Sequence, residues 1–597
     1  MAFSINYKKN RNKSLIDSFK QNETMNLKNV QNYIPIYNNF FDINENNFNN
    51  FNLNQKYYIH EIKNNLSNNE KLSGKKCNCI IKNNYNENEE KEETIFFKFS
   101  PIIDPIKYMI GKYETSDICR LPNFNTKKES DFEKKITNKN NSSYVDGFFT
   151  YLTSQLKNFN NFKHGVDFYG SFLAIQNPFL IDIADEIEYL HDSEYFRKNM
   201  DTLFTIDKTN ILNNVLNNDS RNYKCKLEII DGSDEIIELS DINEINEYEH
   251  IFSDIQTNIQ EKDTIANVYE NANLISKNSS STNSTCSSRD SNTDSDSESE
   301  TDSDSESQSE KNNIHDNIDE EGSNSDYSDD DSSYFSEHGD NVIFSKIKEF
   351  PIQIICLEDC ENTIDTLLME NNVTDEELES IIVQILMILI TYQKCFKLTH
   401  NDLHTNNIMY QKTDKKYLYY KYESRYYKIP TFGRLVKIID FGRAIYQFKG
   451  NLICSDSFNK KEDAATQYNF PPYFNKNKPI IEPNYSFDLC RLSCSMIDYF
   501  IDDICEINEV SNSSPIKKLI MDWSFDDNGK NILYKSNNKE RYPEFKLYKM
   551  ITRKVHNHIP RNIIKNNLFD KYIISKKKIN KKKYKSIMNI DNIPSYV

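Results

Sequence analysis

The ten residues from Ile381 to Ile390 are apolar at all but one position, and they follow Thr374-Asp375-Glu376-Glu377. A threonine three residues before a glutamate is the pattern of a capping box, so a helix is predicted to start at Thr374. A helix that is apolar on nearly all sides is a buried one. Its apolar run is about half of the ~20 residues that span a bilayer, which makes it a core helix and not a membrane anchor. Upstream, Phe350–Glu358 reads as a short strand, followed by a polar stretch and then by Ile364-Asp365-Thr366-Leu367-Leu368. Residues 57–62, 77–81 and 94–99 read as three further strands, the last carrying Lys98. Residues 144–156 read as a helix, and the tyrosine- and lysine-rich 417–427 as a hairpin whose aromatics most simply cover one side of the protein, with a protein-docking role as the alternative.

Candidate chemistry lies just beyond the capped helix. His400-Asn401-Asp402-Leu403-His404-Thr405-Asn406-Asn407 is followed, after the hairpin, by Ile438-Ile439-Asp440-Phe441-Gly442. A carboxylate that can orient or deprotonate a hydroxyl, with an amide oxygen and a second carboxylate suited to Mg²⁺, is a set of parts for phosphoryl transfer. Asp402 fits the first role, and Asn407 with Asp440 fits the second.

These two motifs resemble those of the protein-kinase-like superfamily, whose catalytic loop reads His-Arg-Asp-Leu-x-x-x-Asn before an Asp-Phe-Gly. The resemblance implies an α+β, bilobal protein-kinase-like fold with a small β-rich N-lobe, a mainly helical C-lobe and a large disordered acidic insertion. It implies ATP and Mg²⁺ as cofactors, with Asp402 and His404 catalytic and Asn407 and Asp440 on the metal. Lys98 would meet the α- and β-phosphates, and the backbone of Leu357, Glu358 and Asp359 would contact adenine. His400, Phe441, Gly442 and Asp488 would be structural, Asp488 by bonding the catalytic-loop backbone. The chain departs from the family pattern at several points. Asn401 replaces the arginine that anchors a phosphorylated activation loop, which puts that regulation in doubt. His404 stands where a lysine is usual, as in haspin-type and aminoglycoside-phosphotransferase-type members, and a histidine partly charged near neutral pH would make activity pH-sensitive. No Ala-Pro-Glu closes the segment between Asp440 and Asp488. The phosphate-covering loop, expected over 64–76, holds only Gly74, where several glycines would let backbone amides approach phosphates. The helix over 144–156 has no glutamate, so Lys98 would pair with Asp146 or leave that residue a surface role.

Charge divides the rest of the chain. Residues 279–340 hold 19 Asp or Glu against Arg289 and Lys311, whereas the whole 597-residue chain stands at −18, so everything outside this tract is close to neutral. Alternating serines and acids with almost no apolar residues cannot repay the entropy of folding. The expected organisation is a polar N-terminal extension over 1–50, N-lobe over 51–204, acidic insertion over 205–344, last N-lobe strand and hinge over 345–360, C-lobe over 361–570, and basic tail over 571–597. The twelve cysteines show no Cys-x-x-Cys zinc spacing and read as reduced thiols. No signal peptide is read at the N-terminus, so the expected location is intracellular. The wealth of Asn, Lys, Ile and Tyr resembles predicted kinases of giant DNA viruses, which would mean host cytoplasm or virion.

Taken together, the expectation is an ATP-dependent kinase acting on Ser/Thr hydroxyls of an unidentified protein substrate, with its own serine-rich insertion a further target. No membrane and no specific nucleic acid are expected as partners. The alternatives are a pseudokinase scaffold, favoured by the missing glycines and glutamate, and a small-molecule phosphotransferase, favoured by His404.

Overall fold

The computed structural model describes residues 2–206 and 343–597, apart from 23–24, 66–73, 87, 114–117, 371–372, 536 and 580. The acidic tract and the expected phosphate-covering loop between Asn65 and Gly74 lie outside the described residues. The fold is mixed α+β. Its centre is a six-stranded antiparallel sheet in the order Leu27–Gln31, Phe168–Gln176, Phe350–Glu358, Glu90–Pro101, Gly74–Asn83, Tyr57–Asn65. Strand Glu90–Pro101 alternates buried and less buried positions from Ile95 to Phe99, while Phe350–Glu358 is buried at every position but the last. The continuous apolar run is therefore the central strand, covered on both faces.

Helix Ser142–Asn160 supplies one cover and Lys13–Gln21 the other, the latter through Phe19 against Phe97 and Phe172. Gly147 sets how closely the first helix approaches. A Cβ there would stand 2.3 Å from Nε2 of Gln353, a buried side chain bonded to Ser171, and 3.4 Å from Ile355.

The capped helix runs Asp375–Phe396, with both halves of the Thr374/Glu377 capping box formed, and ends on Lys397 in the left-handed conformation. At 22 residues it is longer than its apolar core suggested, and by length and composition it could cross a membrane. However, 94% of its most apolar stretch is buried inside the protein, as expected of a core helix. Around it lie the small sheet Asn362–Thr363, Ile408–Lys412, Arg434–Ile438, and the hairpin Tyr417–Tyr422 with Arg425–Pro430.

Both terminal regions differ from the reading of polar tails. Phe3, Ile5, Leu15, Phe19 and Leu27 are buried, and Leu27–Gln31 is an edge strand of the main sheet. At the other end Met588–Asn589 pairs in parallel with Tyr417–Tyr422, and Tyr596 stacks on Phe3 and Phe396. The lysine-rich composition of 576–585 had masked the apolar Met588, Ile590, Ile593 and Tyr596 that follow it.

Candidate phosphoryl-transfer site

Three elements meet at Lys98. The strand Glu90–Pro101 presents its ammonium 2.8 Å from Asp146 on helix Ser142–Asn160, and 3.1 Å from Asp440. Burial opposes the lysine's charge, but the two carboxylates carry its pKa above the usual lysine range. The other oxygen of Asp146 accepts the Phe441 N–H at 2.9 Å, so one buried side chain holds both the lysine and the Asp-Phe-Gly turn. The position left open between pairing and surface exposure is thus a paired one. Asp440 adopts a left-handed backbone, φ 62°, which turns its carboxylate back toward Lys98.

The loop carrying Asp402 hangs on Asp488. That aspartate, fully buried at the start of helix Phe487–Met496, accepts the N–H groups of His400 (3.0 Å) and Asn401 (2.9 Å). His400 bonds the Ile439 carbonyl through Nε2 at 2.9 Å, and its ring packs against Phe441, tying the two motifs together. Gly442 follows; a Cβ on it would lie 3.4 Å from Asp440 Oδ1. Asn401 is buried: its amide donates to the Arg443 carbonyl and its oxygen accepts from Tyr468 at 2.6 Å. At the position where the resembled motif has an arginine, this chain has a neutral tie to the segment after Asp440.

Asp402 accepts a hydrogen bond from the Tyr548 hydroxyl at 2.7 Å. Burial raises its pKa, but Arg443, His404, Arg491 and that bond bring it down to about 2. Asn407 donates to the Asp402 carbonyl at 2.9 Å and to Nε2 of His404 at 3.0 Å. Both amide hydrogens are therefore committed, and the carboxamide oxygen is the atom it can offer a cation. His404 differs from expectation. Burial, only partly offset by Asp402, takes its pKa down to about 4. It is neutral at physiological pH and accepts from Asn407, so it does not provide the pH sensitivity expected of it.

The expected adenine contacts are also changed. Glu358 is the hub of a buried ion cluster, 2.6 Å from Lys437 and 3.0 Å from Lys157, and its N–H donates to the Asp167 carbonyl. Burial pushes its carboxyl up, but the two lysines pull it down to about 2. The Glu358 amide is thereby unavailable to a base. Leu357 is buried beside it, and Asp359 pairs with Lys76 at 2.8 Å.

Lys98, Asp146, Asp402, Asp440 and Gly442 line one cavity of about 220 Å³ that extends to Arg443 and Asp463. Among the described residues no cluster of three or more His, Cys, Asp or Glu forms a metal cage. Asp440 and Asn407 could offer a cation one carboxylate and one amide oxygen, a donor set of the kind that Mg²⁺ takes together with waters and phosphate oxygens. Sequence reasoning missed Arg443, Asp463, Arg491 and Tyr548. Arg443 directly follows the Asp-Phe-Gly and was the one with a local signal. No protein-family model matches this chain, and no curated protein is similar to it.

Proposed function

We propose that this chain is a protein-kinase-like phosphotransferase that moves the γ-phosphoryl group of ATP to serine or threonine hydroxyls of proteins. The observation that carries the reading is the convergence of Lys98, Asp146, Asp402 and Asp440 on one cavity from four separate stretches of chain, with Asn407 bonded to the Asp402 carbonyl on the same loop. The sheet order supports the bilobal form of that fold, with Phe350–Glu358 set beside the lysine strand and leading directly to the helical half. In this mechanism Asp402 takes the proton of the acceptor hydroxyl. Lys98, held by Asp146, sets its charge against the phosphates. Asn407 and Asp440 would hold Mg²⁺, whose charge offsets that developing on the phosphate oxygens.

The modest cavity favours a second reading, a small-molecule acceptor on the same machinery. The deciding experiment is transfer from labelled ATP with Mg²⁺ to protein acceptors and to small hydroxyl compounds, comparing wild type with Asp440→Ala and Asp402→Asn. Label on protein serine or threonine, lost in both variants, is the expected result. Label on small acceptors alone would select the second reading. Mg²⁺-dependent ATP binding without transfer to any acceptor would leave a nucleotide-binding scaffold.

A further inference from the structure

Asp402 has two oxygens, and the fold treats them differently. Oδ1 accepts from Tyr548, on helix Phe545–Lys554, at 2.7 Å. Among the described residues Oδ2 has no hydrogen-bond partner, yet it is not a buried, unsatisfied atom. The exposed side of the carboxylate is therefore the side that faces the cavity Asp402 helps to line. Tyr548 is itself held in place. Its hydroxyl accepts from Nε of Arg491 at 2.9 Å, and the guanidinium groups of Arg491 and Arg443 lie 5.2 Å and 5.3 Å from its ring centre. Phe545 stacks on the ring with centroids 5.1 Å apart. A phenol that is 92% removed from solvent and whose oxygen both donates and accepts has little freedom to reorient.

We propose that Tyr548, with Arg491 behind it, is a positioning residue that fixes the carboxylate of Asp402 so that Oδ2 meets the acceptor hydroxyl entering from the cavity. The inference rests on the phosphotransferase reading above. A carboxylate on a single Cβ–Cγ bond turns readily, and a misaligned base loses rate because the reacting atoms must meet within about 3–3.5 Å. Tyr548 pins the rotor through the oxygen that does no chemistry. Arg491, which is not among the residues lining the cavity, charge-assists that bond through its Nε–H.

The test is Tyr548→Phe, which keeps the ring and its packing and deletes only the hydroxyl. The expected result is a kcat about 10- to 100-fold lower with the KM for ATP unchanged, because the nucleotide side of the site is untouched. In an Asp402→Asn background the same substitution should have no further effect, since the two residues act as one unit. Arg491→Lys, which cannot reproduce the planar Nε–H, should give a smaller loss of the same kind. Unfolding temperatures measured alongside separate a folding defect from a catalytic one. Unchanged kcat in Tyr548→Phe would overturn the proposal, as would a rise in kcat, which would mean that the tyrosine occupies the acceptor's place. Both outcomes leave wild-type transfer intact, whereas absence of transfer in the wild type would remove the phosphotransferase reading and the proposal with it.

Discussion

An aspartate holds Lys98 where the family pattern would supply the longer glutamate, and its neighbour explains how a shorter side chain reaches. Gly147 lets the helix lie against Gln353 and Ile355, so Asp146 needs one methylene fewer. The charge of Asp146 can be separated from its shape. Asp146→Asn keeps an oxygen for the Phe441 N–H but turns an uncharged amide toward Lys98. We expect kcat/KM for ATP to fall by about two orders of magnitude, the scale seen when one preorganised charge partner is removed from a dry site. Asp146→Glu should not behave as a rescue, because an extra methylene in a packed interface costs about 1–3 kcal/mol. Steady-state kinetics with varied ATP, together with thermal unfolding of both variants, checks this. A glutamate variant more active than wild type would refute the close-approach argument.

The stretch after Asp440 is an element held by charges the chain already carries. Arg443 pairs with Asp463, Lys107 with Glu462 at 2.9 Å, and Lys135 with both Asp456 (2.9 Å) and Glu462 (3.3 Å). Asp456 also accepts the Ser142 N–H at the start of the helix that carries Asp146. On the proposed phosphotransferase reading, these contacts, with the neutral Asn401–Tyr468 bond, would take the role that an added phosphate plays in other such enzymes. The expected outcome is that phosphatase-treated protein transfers phosphate at the untreated rate, while Asp463→Asn, which leaves the buried Arg443 without its carboxylate, slows transfer at least tenfold. A rate that falls on phosphatase treatment would show that these ion pairs are not sufficient. Individual elements were legible where periodicity is strong. The capped helix, the 350–358 strand and the hairpin all lie where their patterns put them. What could not be read is which distant residues meet. Tyr548 stands 146 positions from Asp402 on an ordinary amphipathic helix, and no spacing in the sequence points from one to the other. Asp146 was visible as a candidate, but deciding between a pair and a surface acid required the distance that Gly147 sets.

On the scale of the whole molecule, two stretches of unusual composition invite separate tests. The strands Phe204–Ile206 and Phe344–Ile347 pair antiparallel, with Ile206 opposite Ser345, so the described residues on either side of 207–342 lie next to each other. The 571–597 region instead ends in Met588, Ile590, Ile593 and Tyr596, all buried against the hairpin and the capped helix. Composition alone made both look dispensable, because runs of like charge dominate it and a few apolar residues set among lysines form no period. Replacing 207–342 with a short Gly-Ser linker should leave the unfolding temperature unchanged or slightly higher, since each halving of a closed loop recovers only about 0.6 kcal/mol. Transfer to an external protein acceptor should persist, and any label the chain places on its own serine-rich tract should vanish. Ending the chain at Ile587 removes four buried side chains worth roughly 1.5–3 kcal/mol each. Against a typical total stability of about 5–15 kcal/mol, that loss should abolish a cooperative unfolding transition. Thermal unfolding of the two deletions side by side checks both expectations. A shortened chain that melts like the full one would mean that the C-terminal residues lie on the core without stabilising it, and a linker variant that fails to fold would mean that the 207–342 stretch contributes to the core despite its charge.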